Sequence, residues 1–115
     1  MIAGAHTVVY STDADADRAF FRDVLGFPHV DVGGGWLIFE LPPSEVAFHP
    51  AAESGKHELY LLVKDVEAFI QAMNEREVPI SGIQEEPWGR VVVITLPGGG
   101  KVGVYQPLHE SVAGT

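Results

Sequence analysis

The chain has 115 residues, is 46% hydrophobic, and carries 7 Lys and Arg against 16 Asp and Glu, a formal net charge of −9 with histidine neutral. That size suits one compact domain whose leftover apolar surface a second copy would help to cover, so a homodimer is expected. The acidity argues against nucleic acid or an anionic membrane as partner. No apolar run is long enough to span a bilayer and no signal peptide opens the chain, while the absence of cysteine excludes disulfides and thiolate chemistry, so a cytoplasmic protein is expected.

The first predicted element is a strand over roughly residues 5–10, in which His6, Val8 and Tyr10 alternate. Asp13 or Asp15 then caps a helix by accepting from its free N–H groups. The pairs Phe20/Val24 and Phe21/Leu25 give that helix a buried stripe, which stops at Gly26. Three strands follow, Phe27–Val32, Trp36–Leu41 and Glu45–His49, separated by Gly33-Gly34-Gly35 and Pro42-Pro43-Ser44.

His57 opens the same order again. It begins a strand with Leu59, Leu61 and Val63, and Asp65 caps a second helix. Val66, Phe69, Ile70 and Met73 fall at i, i+3, i+4 and i+7, the clearest helical face in the chain, and Glu67 suits the positive end of the dipole. Pro79–Glu85, Arg90–Leu96 and Lys101–Gln106 supply three more strands, the last two joined by Pro97-Gly98-Gly99-Gly100. From Pro107 onward an extended tail is expected.

The repetition predicts an α+β fold of two βαβββ modules forming a curved mixed sheet around a cleft. Module one would run over about 1–52 and module two over about 53–108. Alternation along the strands then divides residues between cleft and helix side. If His6 and His57 point into the cleft, so do Val8, Tyr10, Leu59 and Leu61. On the closing strands Val46, Phe48, Val102 and Val104 suit the helix side. That leaves Glu45, Ala47, His49, Lys101, Gly103 and Tyr105 toward the cleft.

Over nearly its whole length the chain resembles the vicinal oxygen chelate superfamily, which includes glyoxalase I, extradiol dioxygenases, fosfomycin-resistance enzymes and bleomycin-binding proteins. The resemblance rests on His6, the run Ala19-Phe20-Phe21-Arg22-Asp23-Val24-Leu25-Gly26-Phe27, His57, Trp88-Gly89-Arg90, and the ending from Leu96 to Pro107. It implies a metal held between first-strand histidines and a carboxylate on the closing strand. His6 and His57 match the histidine positions, but the carboxylate positions fall on Ala47 and Gly103, which cannot ligate. Two imidazoles alone leave a divalent cation short of the roughly three protein ligands a catalytic site uses. His49, Tyr105 and Glu45 are the residues placed to compensate.

The candidate ligand-binding set is His6, Trp36, His49, His57, Trp88, Arg90 and Tyr105, with His6 and His57 as candidate metal ligands. Trp36, Phe39, Trp88 and Tyr105 would form an aromatic wall, and Arg90 would fix an anionic group. Gly98-Gly99-Gly100-Lys101 lies between strands and reads as a hairpin turn, not a phosphate loop. His29 and His109 are expected to be exposed. Two functions follow: a metal-free binder of a small organic molecule, and a divalent-metal-dependent enzyme acting on vicinal oxygens.

Overall fold

A computed structural model describes residues 7, 9, 11–44, 47, 50, 52–54 and 57–108. The expected opening strand at 5–10 and the closing strand at 45–49 therefore lie largely outside the described residues. So do His6, Glu45, His49 and His109.

Helix α1 spans Ala14–Asp23, and its cap is Asp13, whose carboxylate accepts from the Ala16 N–H at 3.2 Å. Asp15 instead sits in the first turn with Asp17, where the helix dipole favours a negative charge. The chain turns off the helix through Gly26 at φ +73°, in the left-handed region that glycine adopts without penalty. Strands β1 (His29–Asp31) and β2 (Leu37–Phe39) follow as an antiparallel hairpin. Phe21 of α1 packs on Phe27 and Phe39, with ring centroids 5.5 Å apart in both pairs.

Both strands are shorter than expected. Phe27 belongs to the helix end, since its N–H donates to the Phe21 carbonyl at 3.1 Å. Trp36 belongs to the turn, where its N–H reaches Gly33 O at 3.1 Å.

The second half is a complete βαβββ unit. Strand β3 (Tyr60–Leu62) leads into α2 (Val66–Glu75), then β4 (Gln84–Glu86), β5 (Gly89–Thr95) and β6 (Lys101–Pro107). The sheet order is β3-β6-β5-β4, with β3 and β6 parallel and the other pairs antiparallel. Asp65 caps α2 by accepting from Ala68 N–H at 3.1 Å, and the Gln106 side-chain carbonyl takes the Val66 N–H at 3.0 Å. The helix ends in a Schellman arrangement: Val78 N–H donates to Met73 O at 3.0 Å and Glu77 N–H to Asn74 O at 3.1 Å. Glu77 occupies its left-handed position, at φ +57°.

The expected strand at Pro79–Glu85 is interrupted. Ile80 bridges to Ile94, but the Val93 N–H is taken by the Ser81 hydroxyl at 2.8 Å, and regular pairing resumes only at Gln84. At the other end the tail begins later than expected, because Pro107 still pairs with Gly89 and Leu108 N–H donates to Trp88 O at 3.0 Å.

The core lies between α2 and its sheet. Val66, Val92, Ile94 and Val104 are wholly buried, joined by Val102, Leu96, Met73, Val78 and Phe20. Phe20 brings α1 into this core, and hydrogen bonds fix it there. Asp17 accepts from Gly98 N–H at 2.8 Å, and Arg76 donates to Asp23 O at 3.3 Å. One Asp17 oxygen, Oδ2, is buried with no hydrogen-bond partner among the described residues.

Candidate functional site

Strand register assigns the two faces of the four-stranded sheet. Val92 and Val104 lie side by side, as do Ile94 and Val102, and all four face α2. The face turned away from α2 carries Tyr60 beside Gly103 and Val93, and Leu62 beside Tyr105 and Val91. The expectation for β6 holds: Val102 and Val104 point to the helix, Gly103 and Tyr105 away from it.

The expectation for the strand after His57 does not hold. Leu61 pairs with Val104 and packs against the core, so Tyr60, not Leu61, shares the face of Gly103 and Tyr105. His57 is exposed and precedes β3.

Three aromatic rings gather on the face away from α2. Trp88, from the β4–β5 turn, meets Tyr105 with centroids 5.0 Å apart at 90°. Tyr60 meets Tyr105 at 5.7 Å and 83°, and Trp88 at 6.3 Å and 83°. Edge-to-face contact is favoured because the positive rim of one ring meets the negative face of the next.

Two glycines make room for them. A Cβ at Gly103 would collide with Cδ1 and Cε1 of Tyr60, and one at Gly89 would lie 2.9 Å from Tyr105 Cδ2. The Tyr60 hydroxyl donates to Glu58 Oε2 at 2.9 Å. That bond, and secondarily burial, raises the Tyr60 phenol above its ordinary value. Tyr60 and Trp88 nonetheless stay 40% exposed.

The other expected residues lie elsewhere. Arg90 is on the α2 side of the sheet, where it bonds Glu85 at 3.0 Å and Glu67 of α2 at 3.3 Å. Those two carboxylates, Glu85 first, raise its guanidinium pKa. Arg90 thus ties strand to helix instead of facing the cleft. Trp36 is 56% exposed, with the Arg18 guanidinium 4.8 Å from its ring centre. Phe39 joins the packing under α1, and its other neighbour is the exposed His29, centroids 5.6 Å apart.

Of the expected aromatic wall, only Trp88 and Tyr105 come together. Tyr60 and Glu58 are the residues that sequence reasoning missed. Their signal was the alternation Glu58, Tyr60, Leu62, taken in the opposite phase.

Among the described residues no three His, Asp or Glu side chains converge as a metal site. The described part of the donor set implied by the resemblance does not fit a metal, because Gly103 offers no donor atom and the Tyr60 ring fills the space above it. A separate open groove of about 400 Å³ lies between the end of α1 and the α2–β4 connection, lined by Phe20, Val24, Arg76, Val78 and Leu96 among others. It contains none of the candidate residues.

No protein-family model matches the chain, and a search of curated proteins finds no match. Solved structures do match. An antibiotic binding protein, TnmS3, from Streptomyces sp. CB03234 is 27% identical, with a TM-score of 0.67 over 93% of this chain and 99% of that one. A glyoxalase/bleomycin resistance protein from the same Streptomyces is 27% identical, with a TM-score of 0.60 over 85% of this chain and 95% of that one. Lactoylglutathione lyase from Agrobacterium tumefaciens, at 24% identity and a TM-score of 0.66 over 90% and 92% of the two chains, is a likeness of fold.

These likenesses define the class, an α+β protein with the fold of glyoxalase and bleomycin resistance proteins. The fold is that of the glyoxalase/bleomycin resistance/dioxygenase type, so the resemblance of the sequence to the vicinal oxygen chelate superfamily is matched by a likeness in three dimensions.

Proposed function

We propose that this protein binds a small organic molecule on the sheet face carrying Tyr60, Trp88 and Tyr105, and does so without a metal ion. The observation that carries the reading is the aromatic group itself. Three rings stand in mutual contact on the face opposite the core, two of them 40% exposed, above glycines that leave them room. Ligand sites combine such apolar surface with a few polar groups, here the Tyr60 hydroxyl and the Glu58 carboxylate. The likeness to an antibiotic binding protein supports the same reading.

The chain is proposed to act as one domain of two modules, as a cytoplasmic homodimer. Val30 and Val32, each 60% exposed on the β1–β2 hairpin, are apolar surface that a second copy would cover. No helix among the described residues is long and apolar enough to cross a membrane.

The test of the binding site is titration with 2-naphthol, a neutral flat aromatic, followed by NMR of the two indole N–H groups. A saturable shift at Trp88 with Trp36 unmoved supports the site. Shifts at Trp36 alone count against it, and no shift at either indole with this probe or with the two small probes used below refutes it. Light scattering at tens of micromolar tests the dimer, and a strictly monomeric mass counts against it.

A further inference from the structure

We infer that the ligand group received by Tyr60, Trp88 and Tyr105 is an organic cation, a substituted ammonium with apolar substituents. This rests on the binding site proposed above and narrows its ligand class.

The first ground is the ring geometry. The three planes stand at 83°, 83° and 90° to one another in edge-to-face contact, so a group lodged between two of them, as in a corner, would meet ring surface in more than one direction. An alkylated ammonium seated in such a corner touches more than one electron-rich face at once. A flat neutral ligand stacks best on a single plane. Indole and phenol rings attract cations through their quadrupoles, indole most strongly, and a cation with a weakly hydrated apolar shell loses little on leaving water.

The second ground is the charge around the corner. Glu58 accepts the Tyr60 hydroxyl proton, which directs further negative charge toward that ring. Glu86 lies on the same face, its strand position paired with Gly89 beneath the Tyr105 ring. Of the described cations, Arg90 is turned to the α2 side and held by Glu85 and Glu67, while Lys101, on the same face as the rings, stands at the opposite end of β6 from Gly89 and donates to Thr95 Oγ1 at 2.8 Å. The net charge of −9 adds a long-range field of the same sign.

The experiment compares choline with 3,3-dimethylbutan-1-ol, which has the same shape without the charge, by the same indole N–H shifts. Choline is expected to bind at least tenfold more tightly than the alcohol. Trp88→Leu keeps apolar bulk at an exposed position but removes the ring face; followed by calorimetry, because the variant lacks the reporting indole, it should weaken choline at least tenfold and the alcohol by less. Equal binding of the two probes overturns the cation preference but leaves the binding site standing. So does binding of 2-naphthol with no response to either probe. Failure of all three probes overturns the binding site as well.

Discussion

Gly103→Ala probes whether the Tyr60 ring really lies on the backbone of β6. The added Cβ would collide with two ring carbons of Tyr60, and the ring must move because the backbone is fixed by pairing on both sides. Displacing it forfeits two edge-to-face contacts of about 0.5–1.5 kcal/mol each. It also loosens the hydrogen bond to Glu58, for which about 0.5–1 kcal/mol is reasonable at a part-exposed position. Against this, alanine in a strand loses less backbone freedom than glycine on folding, a gain of about 0.5–1 kcal/mol. The net expectation is destabilisation by about 2 kcal/mol. In a Tyr60→Ala background the collision is gone and only the gain remains, so the same substitution should stabilise by about 0.5–1 kcal/mol. Urea unfolding of the four proteins, followed by far-UV circular dichroism, reads the cycle. A Gly103→Ala effect of equal size and sign in both backgrounds would refute the placement of the ring.

Glu77→Gly should raise stability by about 1 kcal/mol in the same assay, since a left-handed residue other than glycine costs about that much and Glu77 has φ +57°. Gly98→Ala should destabilise by about 2 kcal/mol, because its Cβ would collide with Ser11 Oγ and lie 2.8–3.0 Å from the Asp17 carboxylate oxygens. A neutral result there would show that α1 does not bear on the β5–β6 turn. Tyr60 should ionise above the ordinary tyrosine range in an ultraviolet alkaline titration, with Tyr60→Phe removing that late step. Because its folded pKa is raised, its contribution to stability is complete below the ordinary tyrosine value near 10 and is lost as pH climbs through the folded value. Protein purified without a His tag should carry no stoichiometric metal, and a stoichiometric ion lost on His57→Ala would overturn the metal-free reading.

What could be read from the sequence is what local chemistry decides. Asp65 and one of Asp13 and Asp15 were legible as caps, because a carboxylate before an amphipathic run has one evident partner, the free N–H groups of the first turn. Val66 and Met73 were legible as core from helical spacing, although Phe69, at the centre of that stripe, is only half-buried. The phase of β3 was not legible. Leu59, Tyr60, Leu61, Leu62 and Val63 are all apolar or aromatic, so alternation favours neither face, and fixing the phase on His57 turned every side chain over. Pairing of Tyr60 with Gly103 decides it, a contact 43 positions away in the chain. Arg90 was misplaced for a related reason, standing in the run Arg90-Val91-Val92-Val93-Ile94, whose two faces are alike in composition.

The exposure of the aromatic group distinguishes a site from unfinished core. Tyr60 and Trp88 each keep 40% of their surface in contact with water. On side chains of this size that is roughly 80–100 Å² apiece, or about 2 kcal/mol of burial left unrealised by each at about 25 cal/mol per Å². A sheet face selected for stability alone would have covered the rings. Here the glycines seat two tyrosine rings close to the backbone, while Tyr60 and the indole stay open. Edge-to-face packing and the bond to Glu58 hold the rings in place without covering them, so little ordering remains to oppose a ligand. That combination of fixed geometry and uncovered apolar area is what recognition of a small molecule requires, and the opposite face, closed by α2 over wholly buried Val92, Ile94 and Val104, provides the rigidity behind it.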